Sequence, residues 1–329
     1  MPIPFAQGPG GAPVDLLRLS NGGTTAQVLT WGATLQDLRL DGLDRGLVLG
    51  APGLTPYHGP MRYFGAVVGP VANRIAGGTA MLDGRTYAFE RNEAGRTTLH
   101  GGHVGTDARV WTVEAHDDTS CTLSLDLADG EGGFPGNRRI TAQYRLDGDG
   151  ALVLTLTARS DAPSWINLAS HAYWSLTGRD GLDDHEMTIA AGQYLPVDDQ
   201  LIPRGAPAPV AGTRFDFLAP RPVRREGEAM IDHNFCLDPG DGPALTLRGD
   251  GLRLEITTDA PGLQIFDATG LHPGPGHDGR TYGPHAGLAI EPQYWPDSPN
   301  HPDYPSIRVA ADETWQQVSR FHVTRTGDM

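Results

Sequence analysis

Nine Asp-Gly dipeptides constrain this chain of 329 residues more than any other feature of its sequence. They begin at Asp41, Asp83, Asp129, Asp147, Asp149, Asp180, Asp241, Asp250 and Asp278. Asp-Gly suits the positive φ angles of two-residue hairpin turns. The chain also carries 44 glycines and 27 prolines, a load that long helices tolerate poorly. The pattern therefore predicts short strands joined by tight turns.

Alternating apolar and polar residues support this interpretation. Leu123, Leu125 and Leu127 alternate with polar neighbours, as does the run of residues 252–256. Residues 244–247 precede the Gly249-Asp250-Gly251 turn, so we expect them to form a hairpin with the run that follows it. Residues 151–158 predict a more buried strand, and no amphipathic helix longer than about ten residues is indicated.

The fold class predicted is all-β, a mostly antiparallel chain with few short helices. Hydrophobic residues make up 39% of the chain, enough for a sizeable core. No fixed-period repeat or linker interrupts it, so we expect one domain over residues 1–329, since a large sandwich or barrel can absorb this length. The Pro/Gly-rich stretches 203–209 and 271–284 are interpreted as surface loops of that domain.

Charge excludes several classes of function. The net charge is -15, without a Lys/Arg run, so neither nucleic acid nor a membrane surface is an expected partner. All 25 basic residues are arginine. A chain without lysine excludes Schiff-base aldolases, lysine-anchored pyridoxal phosphate enzymes and P-loop hydrolases.

The sequence also indicates a compartment. Residues 1–10 lack a basic segment followed by an apolar core, and no stretch of 18 apolar residues occurs, so we expect a cytoplasmic protein. Cys121 and Cys236 form no CxxC pair. Two buried thiols are the expected state, with a single disulfide as the alternative.

Polar residues of catalytic type occur in five segments that also contain aromatic residues or glycine. These segments are residues 73–75, 99–102, 170–174, 232–235 and 291–297. Sugar C–H faces stack on aromatic rings, and sugar hydroxyls need charged or bidentate partners. The combination favours a carbohydrate site.

The same segments, in this order, resemble the aldose 1-epimerase (galactose mutarotase) family. The matching pieces are Ala72-Asn73-Arg74-Ile75, Leu99-His100-Gly101-Gly102, Glu131-Gly132-Gly133-Phe134-Pro135-Gly136, the strand from Asn167 to Leu176, Asp232-His233-Asn234-Phe235, and Glu291-Pro292-Gln293 with Pro296-Asp297 and Asn300. The resemblance implies a large antiparallel β-sandwich of the galactose mutarotase type with an open cleft. It also implies interconversion of the α and β anomers of a free aldose such as glucose, galactose or xylose.

By this resemblance Glu291 is the catalytic base for the O1 hydroxyl, and His171 is the acid for the ring oxygen. The chemistry agrees, because opening a hemiacetal moves one proton off O1 and another onto O5. Glu291 is the strongest candidate, since it follows the apolar run 288–290 at a strand end, where a buried carboxylate needs a partner.

The family positions that hold the sugar correspond to Arg74, His100 and Asp232, with Asn73 in the same motif and Gln293 as a further candidate. No cofactor and no metal are implied. His100 and His103 lie three residues apart, but this glycine-rich turn lacks a third ligand and the helical spacing of a zinc motif. We interpret His233 as structural, and we assign no individual role to Tyr173, Trp174, Tyr294 or Trp295.

Four positions depart from the family pattern. They are Pro70 in place of arginine, Ser170 and Ser175 in place of asparagine, and Pro292 in place of threonine. The departures bear on sugar preference and on hydrogen bonds around the site, since Glu291 and His171 are retained.

Three other functions compete with a free-aldose epimerase. A hexose-6-phosphate 1-epimerase would need an arginine cluster, for which Arg221, Arg224 and Arg225 are candidates. A sugar-binding module would need neither base nor acid. A glycoside hydrolase would need two carboxylates, for which Glu291 and Asp232 are the evident pair. The expected partner is a small aldose, and we expect a monomer or weak homodimer.

Overall fold

The computed structural model describes residues 1–225 and 227–327. Within these residues the chain is almost entirely strands and turns, numbered below in chain order. The helices are seven short 3-10 segments, namely Pro9–Gly11, Thr55–His58, Ala76–Gly78, Thr106–Ala108, Glu131–Gly133, His277–Gly279 and Ser298–Asn300. No helix in this part of the chain has the length and apolar character needed to cross a bilayer.

The largest sheet has nine strands. In spatial order they are β10 (Thr112–His116), β11 (Ser120–Leu127), β12 (Arg138–Leu146), β13 (Leu152–Ser160), β29 (Thr314–Arg325), β23 (Leu252–Thr258), β22 (Leu245–Gly249), β17 (Glu186–Ile189) and β20 (Arg221–Pro222). Along β12 buried and more exposed residues alternate, because successive side chains point to opposite faces. The last long strand, β29, lies at the centre of the sheet, between β13 and β23.

A six-stranded sheet and a four-stranded sheet pack with it. The six strands are β16 (Tyr173–Trp174), β27 (Leu288–Gln293), β24 (Gly262–Phe266), β21 (Asp232–Cys236), β18 (Gln193–Tyr194) and β19 (Ala208–Pro209). The four strands are β1 (Ile3–Gln7), β2 (Pro13–Asn21), β3 (Thr24–Leu29) and β4 (Thr34–Leu40).

Five short antiparallel pairs lie outside these three sheets. They are β5 (Val67–Val68) with β15 (Ala169–Ser170), β6 (Arg74–Ile75) with β9 (Thr98–Leu99), β7 (Thr79–Leu82) with β8 (Arg85–Ala88), β14 (Ser164–Trp165) with β28 (Arg308–Val309), and β25 (Gly274–Pro275) with β26 (Thr281–Tyr282). The first two pairs carry their polar neighbours to the mouth of the cleft described below.

One continuous core lies between the three large sheets. Leu154 and Leu254 of the nine-stranded sheet, Ile265 and Ile290 of the six-stranded sheet, and Leu17 of the four-stranded sheet all belong to it. The structure is the large antiparallel β-sandwich that the sequence predicted. Leu288 and Ile290 point into this core, so the residues between and beyond them on β27 point to the opposite face.

Most local predictions are confirmed. Strands β22 and β23 pair through the Asp250-Gly251 turn, with Gly249 opposite Leu252. Asp250 and Gly251 have φ angles of 51° and 70°, as a type I′ turn requires. Both predicted surface loops contain short paired segments. Residues 271–284 fold back as β25 and β26 around the turn His277–Gly279, where Asp278 has a φ of 58°. Residues 203–209 end in Ala208–Pro209, the edge strand β19, which pairs with β18.

Candidate active site

A cleft of about 350 Å³ opens on the face of the six-stranded sheet that is opposite to the core. Six of the seven predicted site residues line it, namely Asn73, Arg74, His100, His171, Asp232 and Glu291. Aromatic and apolar side chains complete its walls, among them Tyr63, Phe64, Tyr173, Phe266 and Leu271. Segments separated by more than 200 residues in sequence are thus brought together in one cavity.

Strand register explains how three of the polar groups share one face. Glu291 of β27 lies opposite Gln264 of β24, which lies opposite Asn234 of β21. Asp232 is two residues before Asn234 on β21 and therefore points to the same side of the sheet. Period-two alternation turns these polar residues away from the core, although their strands are otherwise apolar.

His171 is fixed between two strand segments. Its backbone N–H donates to Ala66 O at 2.9 Å, and its carbonyl accepts from the Gly65 N–H at 2.9 Å. The imidazole stacks on Tyr173, with ring centroids 5.1 Å apart. Its Nε2 atom lies 3.4 Å from Glu291 Oε1. The two residues that the sequence assigned as acid and base thus face each other inside the cleft.

Burial sets the proton state of this pair. It lowers the pKa of His171 to about 4. Burial, together with the charge of Asp232, also raises the pKa of Glu291 well above its usual range, while Arg74 opposes that rise. A separated carboxylate and imidazolium is therefore disfavoured in the free cleft. The neutral acid and the neutral imidazole therefore face each other across the 3.4 Å contact.

His100 differs from His171 in having a fixed tautomer. Its Nδ1 atom accepts the backbone N–H of Asn73 at 3.1 Å, and the backbone N–H of His100 donates to Asn73 O at 2.9 Å. An imidazole that accepts at Nδ1 carries its proton at Nε2 when neutral. Burial and the nearby His171 keep it neutral by lowering its pKa well below the usual range. His100 is therefore a hydrogen-bond donor to the cleft.

His100, His171 and Glu291 form the group in the described residues that is best placed to hold a metal ion, with candidate ligand atoms within 4.8 Å of one another. A metal needs the lone pair of His100 Nε2, so the proton would have to move to Nδ1. There it would meet the Asn73 N–H, which is also a donor. This hydrogen bond makes His100 a poor ligand, and the arrangement suits proton exchange better than metal binding.

Arg74 and Asp232 form the opposite polar wall. The Arg74 Nε and Nη2 atoms donate to the two oxygens of Glu93 at 2.8 Å each, and Nη1 lies 3.5 Å from Asp232 Oδ2. Asp232 Oδ1 accepts the Gln264 amide at 2.5 Å. Burial raises the pKa of Asp232, although Arg74 and Gln264 oppose the rise. The arginine predicted to contact hydroxyls thus has two of its donor atoms engaged by a carboxylate.

The closing motif supports Arg74 through its backbone. The Asp297 N–H donates to Arg74 O at 3.0 Å, and Asp297 Oδ1 accepts the Ala76 N–H at 2.9 Å. Asn300 donates from its amide both to Asp297 Oδ1, at 2.7 Å, and to Thr79 O, at 3.0 Å. The Pro-Asp-x-x-Asn block therefore holds the strand that carries Arg74 and does not itself enter the cleft.

Gln293, predicted as a contact to the base or the sugar, does not line the cleft. It lies two residues beyond Glu291 on β27, opposite Gly262, and is fully buried. Two strand residues span about 7 Å, which carries its side chain past the row formed by Glu291, Gln264 and Asn234. A Cβ atom built on Gly262 would lie within 3 Å of Trp295 and Asn234, so these side chains fill the space there.

The arginines considered for a phosphate site do not gather around the cleft. Arg221 donates to both oxygens of Glu228, at 2.9 and 3.0 Å. Arg224 lies 3.9 Å from the buried Asp267. Neither they nor Arg225 line the cleft.

Sequence reasoning missed four residues that shape the site. Gln264 binds Asp232, Glu93 binds Arg74, and the Tyr63 ring lies 4.7 Å from the ring of His100. Arg62 lines the cleft and donates to the buried Asp107 at 2.6 Å. A polar residue at the centre of the apolar run 262–266 was a detectable signal for Gln264. Glu93, Tyr63 and Arg62 carry no comparable signal.

Comparisons with known proteins give matches over nearly the whole chain. A family model described as aldose 1-epimerase matches residues 15–322. The chain is 36% identical to the galactose mutarotase of Rattus norvegicus, covering 95% of this chain and 94% of that protein. It is also 36% identical to the aldose 1-epimerase of Escherichia coli (strain K12), covering 91% and 92%.

Solved structures give the same result. A crystal structure of an aldose epimerase homologue from C. elegans superposes with a TM-score of 0.90 at 28% identity, over 95% of this chain and 99% of that one. The galactose 1-epimerase of Lactobacillus acidophilus NCFM gives a TM-score of 0.86 at 26% identity, over 99% and 98%.

Proposed function

The chain belongs to the aldose 1-epimerase family, and we propose that it is a mutarotase that interconverts the α and β anomers of a free aldose such as glucose, galactose or xylose. The observation that carries this proposal is the 3.4 Å approach of His171 Nε2 to Glu291 Oε1 in the cleft. A base and an acid at this separation can act on O1 and O5, which are both bonded to the same anomeric carbon.

The reaction needs only proton transfer and bond rotation. Transfer of the Glu291 proton to His171 leaves Glu291 ionised and able to remove the proton of the O1 hydroxyl. The O1 electrons then form the C1=O1 double bond, the C1–O5 bond breaks, and O5 takes the proton from His171. Rotation about C1–C2 presents the other carbonyl face, and the reverse steps close the ring as the other anomer.

The remaining cleft residues hold the sugar during ring opening. His100 donates from Nε2, and Asp232 accepts from hydroxyl groups. Arg74 Nη1, which Glu93 does not engage, donates to a sugar oxygen next to Asp232. Asn73 Oδ1 accepts the backbone N–H of Arg74 at 2.9 Å, which leaves the side-chain amide nitrogen of Asn73 available as a donor. The rings of Tyr173 and Phe266 offer apolar surface to sugar C–H groups.

Polarimetry of freshly dissolved α-D-glucose, α-D-galactose and α-D-xylose tests the proposal. We expect the protein to accelerate the approach to the spontaneous end rotation without changing that end value. The relative rates would rank the sugars. If none of the three free sugars is accelerated, the proposal is wrong, and α-D-glucose 6-phosphate would be the next substrate to test.

We also propose that the protein acts in the cytoplasm, as one catalytic domain and as a monomer or weak homodimer, on a small aldose with no nucleic acid or membrane partner. Support for the compartment comes from Cys121 and Cys236, which are both buried and free. Unpaired thiols are typical of reducing compartments.

A further inference from the structure

We propose that Glu93 is a positioning residue for this reaction, because it holds the Arg74 guanidinium away from Asp232 and thereby keeps the Asp232 carboxylate free for the sugar. The inference rests on the proposed mutarotase function. Glu93 is outside every motif of the sequence, and it does not line the cleft. It acts through Arg74 alone.

The contact between Glu93 and Arg74 has the geometry of a strong ion pair. Two parallel N–H···O bonds of 2.8 Å join them, an arrangement that fixes direction as well as distance. The Arg74 side chain is 9% exposed and that of Glu93 is 32% exposed. The guanidinium therefore lies inside the cleft, and the carboxylate holds it from the more exposed side, outside the cleft lining.

Glu93 is itself held in place. The Thr97 hydroxyl donates to Glu93 Oε2 at 2.6 Å, and the backbones of residues 93 and 97 pair with each other across the turn between them. This turn follows β8 and leads into β9, the strand that pairs with β6. Glu93 thus approaches Arg74 from a loop anchored to the same short sheet.

Competition between two carboxylates gives Glu93 its role. Arg74 Nη1 is 3.5 Å from Asp232 Oδ2, a long contact for an arginine and a carboxylate that are both buried. Without Glu93 the guanidinium has one remaining carboxylate within reach and would turn onto it with two donors. Asp232 would then lose an acceptor oxygen that the sugar hydroxyls need.

The test compares Glu93→Gln with Glu228→Gln. Glu228 forms a similarly buried ion pair with Arg221. The Glu228 side chain is 20% exposed and that of Arg221 is 10% exposed, and neither residue lines the cleft. We expect Glu93→Gln to raise KM for the preferred aldose about tenfold with kcat within about threefold, because sugar binding weakens before the chemical step does. Glu228→Gln should leave both constants unchanged.

Thr97→Val should change KM in the same direction by a smaller factor, since it removes only the hydroxyl that holds Glu93. An unchanged KM in Glu93→Gln would overturn the proposal. So would equal losses of activity in Glu93→Gln and Glu228→Gln, because that result would indicate a purely structural role.

A crystal structure of Glu93→Gln provides a test that does not depend on activity. We expect two guanidinium nitrogens of Arg74 within about 3 Å of the Asp232 carboxylate. A guanidinium that stays in its present position would overturn the proposal even if the wild type proved inactive. An inactive wild type with a rotated Arg74 would instead reject the mutarotase function and retain the positioning role.

Discussion

At the residue scale, the two histidines of the cleft have different roles because their Nδ1 atoms have different partners. His100 Nδ1 accepts a backbone N–H, so its tautomer is fixed and Nε2 remains a donor. His171 Nδ1 has no hydrogen-bond partner in the described residues, and its Nε2 faces a carboxylate. The first ring is therefore suited to holding a substrate oxygen and the second to exchanging a proton.

Replacing either member of the catalytic pair should abolish most of the rate. We expect Glu291→Gln and His171→Asn each to lower kcat by about 10²- to 10⁴-fold, because each removes one proton-transfer group. The double variant should lose little more than either single variant, since the two groups act together. Initial polarimetric rates measure the effect, and near-ultraviolet circular dichroism checks the fold. If the losses of kcat in the two single variants multiply in the double variant, the joint acid-base mechanism is contradicted.

Arg62 has a structural role as the partner of a buried carboxylate. Its Nε atom donates to Asp107 Oδ2 at 2.6 Å, and the Asp107 side chain is fully buried. Burial raises the pKa of Asp107 to about 6, against the opposing effect of Arg62. Ionisation of Asp107 therefore lowers the free energy of unfolding as pH rises through that value, and the charge of Arg62 reduces this loss.

Arg62→Ala should therefore destabilise the protein more at high pH. We expect a loss of about 3 kcal/mol in the free energy of unfolding at pH 8, where Asp107 is ionised and unpaired. At pH 5 the protonated carboxyl needs no cation, so the loss should be smaller. Urea unfolding followed by tryptophan fluorescence at both pH values measures the difference. Arg62→Lys retains the charge and serves as the control, and equal losses at the two pH values would exclude this account.

At the element scale, Asp297 joins the segment that follows β27, the strand of Glu291, to β6. It has a φ of 58°, a conformation that aspartate and asparagine tolerate better than alanine. Its N–H and its carboxylate bind the backbone on either side of Ile75. Asp297 therefore helps to set the distance between Arg74 and the strand that carries Glu291.

Asp297→Ala should weaken both stability and sugar binding. We expect the unfolding free energy to fall by about 1–3 kcal/mol, because the Ala76 N–H loses its acceptor. KM should rise as β6 and Arg74 shift. Asp297→Asn keeps an acceptor oxygen and should retain most of both properties. The prediction is wrong if Asp297→Ala and Asp297→Asn have the same KM and midpoint of unfolding.

Elements also show how far the sequence could predict this structure. The Asp250-Gly251 hairpin followed from local turn chemistry, and Glu291 followed from a carboxylate after an apolar run. Glu93 could not be predicted, because its partner Arg74 is brought near it only by the pairing of β6 with β9. Gln293 was placed in the site by its motif, but strand geometry carries it past the cleft.

At the scale of the whole molecule, β29 joins the two halves of the nine-stranded sheet. It pairs with β13 over residues 314–321 and with β23 over residues 319–325. Four strands lie on its β13 side and four on its β23 side. The cleft draws its residues from segments between positions 59 and 291, so neither half of the chain contains a complete site.

The molecule should consequently unfold in one cooperative transition, which would establish the single domain expected for residues 1–329. Removing the four strands on either side of β29 would expose one edge of β29 and the shared core. Neither group of strands is therefore expected to remain folded alone. Scanning calorimetry should give one peak with an enthalpy of about 230 kcal/mol near 60 °C, and the van't Hoff enthalpy should equal it. Two resolved peaks, or a van't Hoff enthalpy near half the calorimetric one, would instead mean that the sheet separates at β29 into independent units. A saturating aldose should raise the temperature of the single peak, because the ligand binds the folded state, in which the separated segments of the cleft are brought together.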